Sequence, residues 1–380
     1  MYIKNIFCTI FANVKNSNYF YMLPQIFGIF RSTHYLILFF KKMIRVKILM
    51  VFGLFKLCVG ELYSQDLHFS QFLYNHQSAN PALVSFYDGD HRFGANYRHQ
   101  WLSVPVPYLT VSLLYDTKIL LKGKKDQIGL GFGVDYDQAG DSKLAMAKIM
   151  AEIAYSRSLN SKNIVSVGFN VGGAQRRLSS ELLRWDVQWN GDRFDPSIGT
   201  RESFNQSGKF FMDIGTGINY AYRHSKRTGL TIGGSIFHLN KPNQNFYGAS
   251  AIKANLPYRV VYSGAGQVAI ASSLDFIVAA QLQMQEDYRE QNVVGKIRFY
   301  ANKKPGQLLN VLVGAGMRIN DAIIPSLGFE YNNWLISGSF DINTSAFKTA
   351  TNKRGGPELA LQYIFRSVQP SGIFKKCPIY

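Results

Sequence analysis

Cysteine is scarce, 3 in 380 residues, which excludes a disulfide-stapled scaffold. Charged residues are also few, at 17%, while aromatics reach 14%; a disordered chain would show the reverse balance. Acid is the scarcer sign, with 24 Asp plus Glu against 42 Lys plus Arg. After residue 64 no stretch combines the length and apolarity of the roughly 20 residues that a membrane-crossing helix needs, so a helical membrane bundle is excluded. Enzyme signatures are missing as well: the chain has no His-Glu-x-x-His, no Gly-x-Ser-x-Gly and no Walker loop. The histidines from His68 to His238 follow no metal-ligand spacing. No catalytic residue, metal site or cofactor is expected. The net charge of +18 could suit nucleic acid. But the cations are spread over short turns, with no basic helix and no aromatic stacking platform, so no nucleic-acid partner is expected.

What the chain does have is alternation. Ile128, Leu130, Phe132, Val134 and Tyr136 share one parity, and Gln127, Gly129, Gly131, Gly133 and Asp135 the other. The same pattern holds over 274–285 and 308–319. Successive side chains of a strand point to opposite faces, so this period reads as strand and not helix. Gly129, Gly131 and Gly133, and the pair Gly215 and Gly217, lie inside such runs and not between a strand and a helix, so they read as structural glycines and not phosphate loops.

About fourteen segments of this kind follow one another, near 90–98, 108–117, 127–137, 144–157, 163–174, 209–223, 229–239, 258–267, 274–285, 291–301, 308–319, 323–331, 334–343 and 357–366. Each suits a tilted strand crossing a bilayer. The connections after the first, fifth, seventh and thirteenth are long and the even-numbered ones are short, with the eleventh too short for its class. That parity fits a barrel with turns on one side and loops on the other. The expected fold is all-β, a transmembrane antiparallel β-barrel of about 14 strands, its apolar face toward lipid. The inner face then carries Asp135, Glu152, Asp213, Asp275, Lys296, Arg298, Arg318, Glu330 and Asp341, whose mixed signs suggest ion pairs across the lumen.

The first 64 residues read differently. From Met43, Arg45 and Lys47 precede the apolar run Ile48–Phe55, and a polar stretch ends in small Ser64. This is the layout of a secretory signal, with cleavage expected after Ser64. Residues 1–42 read as an over-called start or an extra N-terminal segment. The expected organisation is then a signal peptide over 43–64, a periplasmic N-terminal segment over 65–89, the barrel over 90–366 and a periplasmic tail over 367–380.

Several stretches also resemble a known family. They are Gln65-Asp66 with Phe69-Ser70-Gln71-Phe72, then Asn80-Pro81-Ala82, Tyr97-Arg98 with Gln100-Trp101, and His238 with Asn240 to Phe246. Further along come Pro257-Tyr258-Arg259, Glu330-Tyr331, Asp341 with Asn343 and Ser345, Gly355-Gly356 with Glu358, and the ending Cys377 to Tyr380. In this order they resemble the PorP/SprF proteins over roughly 65–380. Residues 1–42 have no expected counterpart. The resemblance implies a Bacteroidetes outer-membrane barrel of the type IX secretion system, working in secretion and gliding motility. It implies partners in the secretion machinery and in secreted proteins with C-terminal sorting domains, besides outer-membrane lipid, and no enzymatic activity. The alternative on the same fold is a passive outer-membrane channel or porin.

Candidate partner contacts are of two kinds. Trp185 and Trp189 lie in the long fifth connection, where aromatic side chains suit protein contact. Lys124, Lys125, Lys303 and Lys304 on short turns, with Lys375 and Lys376 in the tail, make a basic periplasmic face. The segment Gln65–Pro81 and the tail are expected to extend from that face as flexible arms.

Overall fold

The computed structural model describes residues 66–104, 107–121, 126–140, 143–179, 183–199, 208–245 and 254–367. Fourteen strands form one closed barrel. They are β1 His91–Gln100, β2 Tyr108–Leu120, β3 Gln127–Ala139, β4 Leu144–Ser158, β5 Asn163–Arg177, β6 Gly208–Arg223 and β7 Gly229–Phe237. The second half holds β8 Arg259–Ala271, β9 Leu274–Gln285, β10 Tyr288–Asn302, β11 Leu309–Arg318, β12 Ala322–Tyr331, β13 Trp334–Asn343 and β14 Arg354–Phe365. Every strand pairs antiparallel with its sequence neighbours, and β1 closes on β14 from His91↔Phe365 to Arg98↔Glu358.

The alternation in the sequence becomes the two faces of this wall. On β3, Leu130 and Phe132 are exposed while Asp135 is buried; on β9, Phe276 and Val278 are exposed while Asp275 and Gln281 are buried. Apolar side chains thus face outward and polar ones inward, as lipid requires, and closure leaves no unpaired strand edge in hydrocarbon. Aromatic pairs mark both rims. Trp334 packs on Tyr363 with ring centres 4.6 Å apart at the short-turn end. Trp101 meets Tyr108 at 4.8 Å and Phe347 at 4.9 Å at the other. Such girdles sit where a bilayer meets water.

The connections differ in part from expectation. Those after β1, β5, β7 and β13 are long, but β9 and β10 are joined by Glu286 and Asp287 alone. The β10 strand begins at Tyr288, earlier than its apolar alternation suggested, because the polar residues Arg289 to Asn292 continue the ladder with β9. The expected signal peptide and residues 1–42 lie outside the described residues, as does the tail from 368 onward.

Candidate functional site

The N-terminal segment is not an arm hanging from the barrel. Residues 66–87 run through the lumen, from the rim of the long connections to the rim of the short turns. Asp66 lies against His238, Arg259 and Gln285, which stand at or beside the long-connection ends of β7, β8 and β9. At the opposite end, Ser85 and Tyr87 bond to Asp116 near the end of β2, and Gln127, which opens β3, donates to the Ser85 carbonyl. Between these ends the segment touches strands on all sides of the wall: Gln77 donates to the Phe132 carbonyl, Asn80 to the Ile218 carbonyl, and Lys296 to the Tyr74 hydroxyl.

Its local structure follows from its residues. Asn75 and Asn80 each turn a side-chain oxygen onto the backbone N–H of the turn that follows, at Ser78 and Ala82. Pro81 sits in the first turn of the second, where its missing N–H costs nothing. The result is a chain of short helical turns and not one helix, compact enough to fit inside a barrel. Phe72 packs with Ala279 and Val294 of the wall.

Inward glycines make the room. A Cβ on Gly168 would lie 2.3 Å from the Ala82 nitrogen, and one on Gly217 would lie 2.1 Å from Asn80 Oδ1. Gly133 and Gly129 stand in the same relation to Gln77 and Ser85. The Gly-x-Gly runs lie inside strands, and the side chains of Gln77, Asn80 and Ser85 take the space that a Cβ at Gly133, Gly217 or Gly129 would need, while at Gly168 it is the plug backbone that passes there.

The first residues of the plug form a hook held by charge. The Asp66 carboxylate lies 3.0 Å from His238 Nε2 and 3.2 Å from Arg259 Nε, and His238 Nδ1 meets Asp213 at 2.8 Å. Arg98 donates to the His68 carbonyl at 2.7 Å and to Asp341 at 2.8 Å. The Ser70 hydroxyl also donates to Asp341, and the Ser70 and Gln71 amides each donate to Glu358 at 2.8 Å. Arg318 completes the group by pairing with Asp341. All of these charges but the partly buried Asp66 are almost fully buried, and burial of a charge is tolerated only with such partners. Further ion pairs run along the inner wall between strands two apart and not across the lumen as expected, Lys148 of β4 with Asp213 of β6 and Arg298 of β10 with Glu330 of β12.

Asp66, Arg98, His238, Arg259, Asp341 and Glu358 are far apart in sequence, and each lies in one of the stretches that resemble PorP/SprF proteins. The fold brings them together on one hook. Reading 65–81 as an arm missed this, because Ser, Gln and Asn look solvated. The available signal was the absence of any Asp, Glu, Lys or Arg between Asp66 and Asp88, since an exposed arm carries charge.

The other candidates are dispersed. In the β5–β6 connection, Gln188 is buried and ties the loop through Trp185, Asp195 and Ile198. Trp185 is half-buried there, while Trp189 is 58% exposed and bridges to Phe194. The Ser197 hydroxyl and amide hold the Asp195 carboxyl below its usual range. Lys303 donates to the Ser272 carbonyl and lies over the Tyr300 ring, and Lys304 is exposed on the same turn. Lys124, Lys125, Lys375 and Lys376 lie outside the described residues. Where the chain leaves β14, Ser367 bonds to Asp90, which holds that carboxyl below its usual range. Among the described residues no group of three or more His, Cys, Asp or Glu is placed to hold a metal ion.

Residues 61–363 match the family model described as type IX secretion system membrane protein PorP/SprF. No curated protein matches the chain. Among solved structures it is similar to the monoaromatic hydrocarbon channel CymD, at 10% identity over 78% of this chain and 94% of that one, with a TM-score of 0.44. It is also similar to a FadL homologue of Pseudomonas aeruginosa, at 10% identity over 76% and 93%, TM-score 0.44. The toluene transporter TodX of P. putida matches at 11% identity over 76% and 93%, TM-score 0.42.

Proposed function

The chain belongs to the PorP/SprF family of type IX secretion system membrane proteins, and from that premise we propose that it is a docking component of the secretion machinery, binding or anchoring secreted proteins that carry C-terminal sorting domains. It is an outer-membrane β-barrel, so its contribution has to come from its two rims, its lumen or its lipid face. The observation that carries the reading is the plug. A passive porin needs a water-filled path, and here residues 66–87 occupy the lumen with buried, paired charges. A barrel with an occupied lumen suits binding better than solute flow.

Two surfaces serve as contact candidates. The exposed Trp189, with Trp185 beside it, suits an apolar patch on cargo. The short-turn rim, with the exposed Lys303 and Lys304, suits an acidic periplasmic partner of the machinery. The test is co-purification of the barrel with a secreted protein's C-terminal domain. Retention of that domain, and its loss on Trp189→Ala, is the expected result. Failure to retain any sorting domain, together with solute flux through the purified barrel, would favour the channel reading.

A further inference from the structure

The hook at the long-connection rim is an intramolecular occupant of a site with the chemistry of a peptide-binding seat. The seat reads five features of the chain it holds. Arg259 and His238 take a carboxylate at the first position, Asp66. A cluster of Met146, Ala174, Phe211 and Leu256 takes an apolar side chain at the second, Leu67. Arg98 takes the main-chain carbonyl of the third. Asp341 takes a hydroxyl at the fifth, and Glu358 takes the backbone N–H groups of the fifth and sixth. The last contact excludes proline from both positions, since proline has no N–H to give.

We propose that this seat also accepts an extended segment of a partner polypeptide, with an acid, an apolar residue next to it and Ser or Thr four residues after the acid, which displaces residues 66–71 from the rim. The inference rests on the docking reading above and names the contact by which a partner engages the barrel. Three observations support exchange. The hook starts at the rim, where Asp66, Leu67 and His68 are only partly buried, and reaches inward to the buried Phe69, Ser70 and Gln71. Its polar contacts are hydrogen bonds and ion pairs, which a second chain with the same groups remakes with little net change, and the buried Phe69 is the apolar contact that an aromatic or aliphatic residue of that chain would replace. The deeper turns, 72–83, stay seated by Phe72 and the glycine cradle, so exchange at the rim does not require the lumen to empty.

The probe is a fluorescent hexapeptide with the sequence of residues 66–71, added to the full-length barrel in detergent. Asp66→Asn with Ser70→Ala in the barrel weakens the built-in hook and leaves the seat intact. The peptide is expected to bind this variant saturably, about ten-fold or more tighter than it binds wild type. A peptide with Asn at its first position and Ala at its fifth should bind about ten-fold more weakly, and one with Pro at its sixth should not bind. Should the variant fail to assemble, amide exchange on wild type gives the same answer, because excess peptide should expose the Ser70 and Gln71 amides that Glu358 protects. Equal binding of native and altered peptides, or unchanged protection at every peptide concentration, would overturn the proposal. Sorting-domain retention is measured separately, so failure here leaves the docking reading to its own test.

Discussion

The Ser70 hydroxyl lies 2.8 and 3.0 Å from the two carboxylate oxygens of Asp341, joining residues 271 positions apart. Asp341 also takes Arg98 and Arg318, so one inward carboxylate on β13 ties the plug to β1 and β11. The segment in the lumen is held at named points, and each point is open to mutation.

Asp341→Asn removes the charge that both guanidiniums share. Breaking a buried pair by removing one partner typically costs about 3–5 kcal/mol. The variant is expected to assemble with an unseated hook, read as protease sensitivity within 66–71. Ser70→Ala leaves both ion pairs in place and should cost about 1.5 kcal/mol, at the low end for a hydrogen bond to a charged group. Equal sensitivity of the two variants would place the hold elsewhere.

Gly168→Ala tests the cradle. Its Cβ would fall 2.3 Å from backbone atoms of Pro81 and Ala82, which cannot swing aside as a side chain would. Overpacking of this kind costs roughly 1–3 kcal/mol. Faster amide exchange over 80–84, with the barrel still heat-modifiable on a gel, is the expected outcome. Exchange identical to wild type would mean that the plug does not pass there.

Val278→Arg tests the outer wall. Val278 faces lipid near the middle of β9, opposite Gly266 and Gly295. A charge there should cost roughly 2–4 kcal/mol or stop assembly, whereas Val278→Leu should fold as wild type. Normal folding of the Arg variant in lipid vesicles would contradict the assigned faces.

Lys303→Glu with Lys304→Glu tests the basic rim. Recovery of periplasmic partners should fall, and native recovery should weaken with salt as the Debye length shrinks from about 10 Å at 0.1 M. Unchanged recovery would leave these lysines as solvated turn residues.

The barrel was legible because its physics is periodic: each strand from Tyr108–Leu120 to Arg354–Phe365 had to alternate to divide lipid from lumen. Lumen charges such as Asp341 and Arg318 could be placed on the inner face by parity alone. Their partners could not, because pairing depends on what else enters the lumen, and the entrant is a segment with no alternation of its own. Asn80 shows the difficulty. In sequence, Asn80-Pro81 reads as an ordinary turn. In the fold it is fully buried, caps a turn and donates across the lumen to the Ile218 carbonyl. The exposed Trp189 was found from residue type, while Gln188, which organises its loop, gave no signal of its own.

The central claim, a barrel closed by its own N-terminal segment, is tested most directly by solute flux. Full-length protein would be purified, reconstituted in liposomes and challenged with small sugars, beside Asp341→Asn and Gly168→Ala. Wild type is expected to give no swelling above empty liposomes. Asp341→Asn, which frees only the rim, should give little more, and Gly168→Ala, which displaces the deeper turns, a measurable increase. Porin-like swelling by wild type, unchanged in both variants, would contradict it.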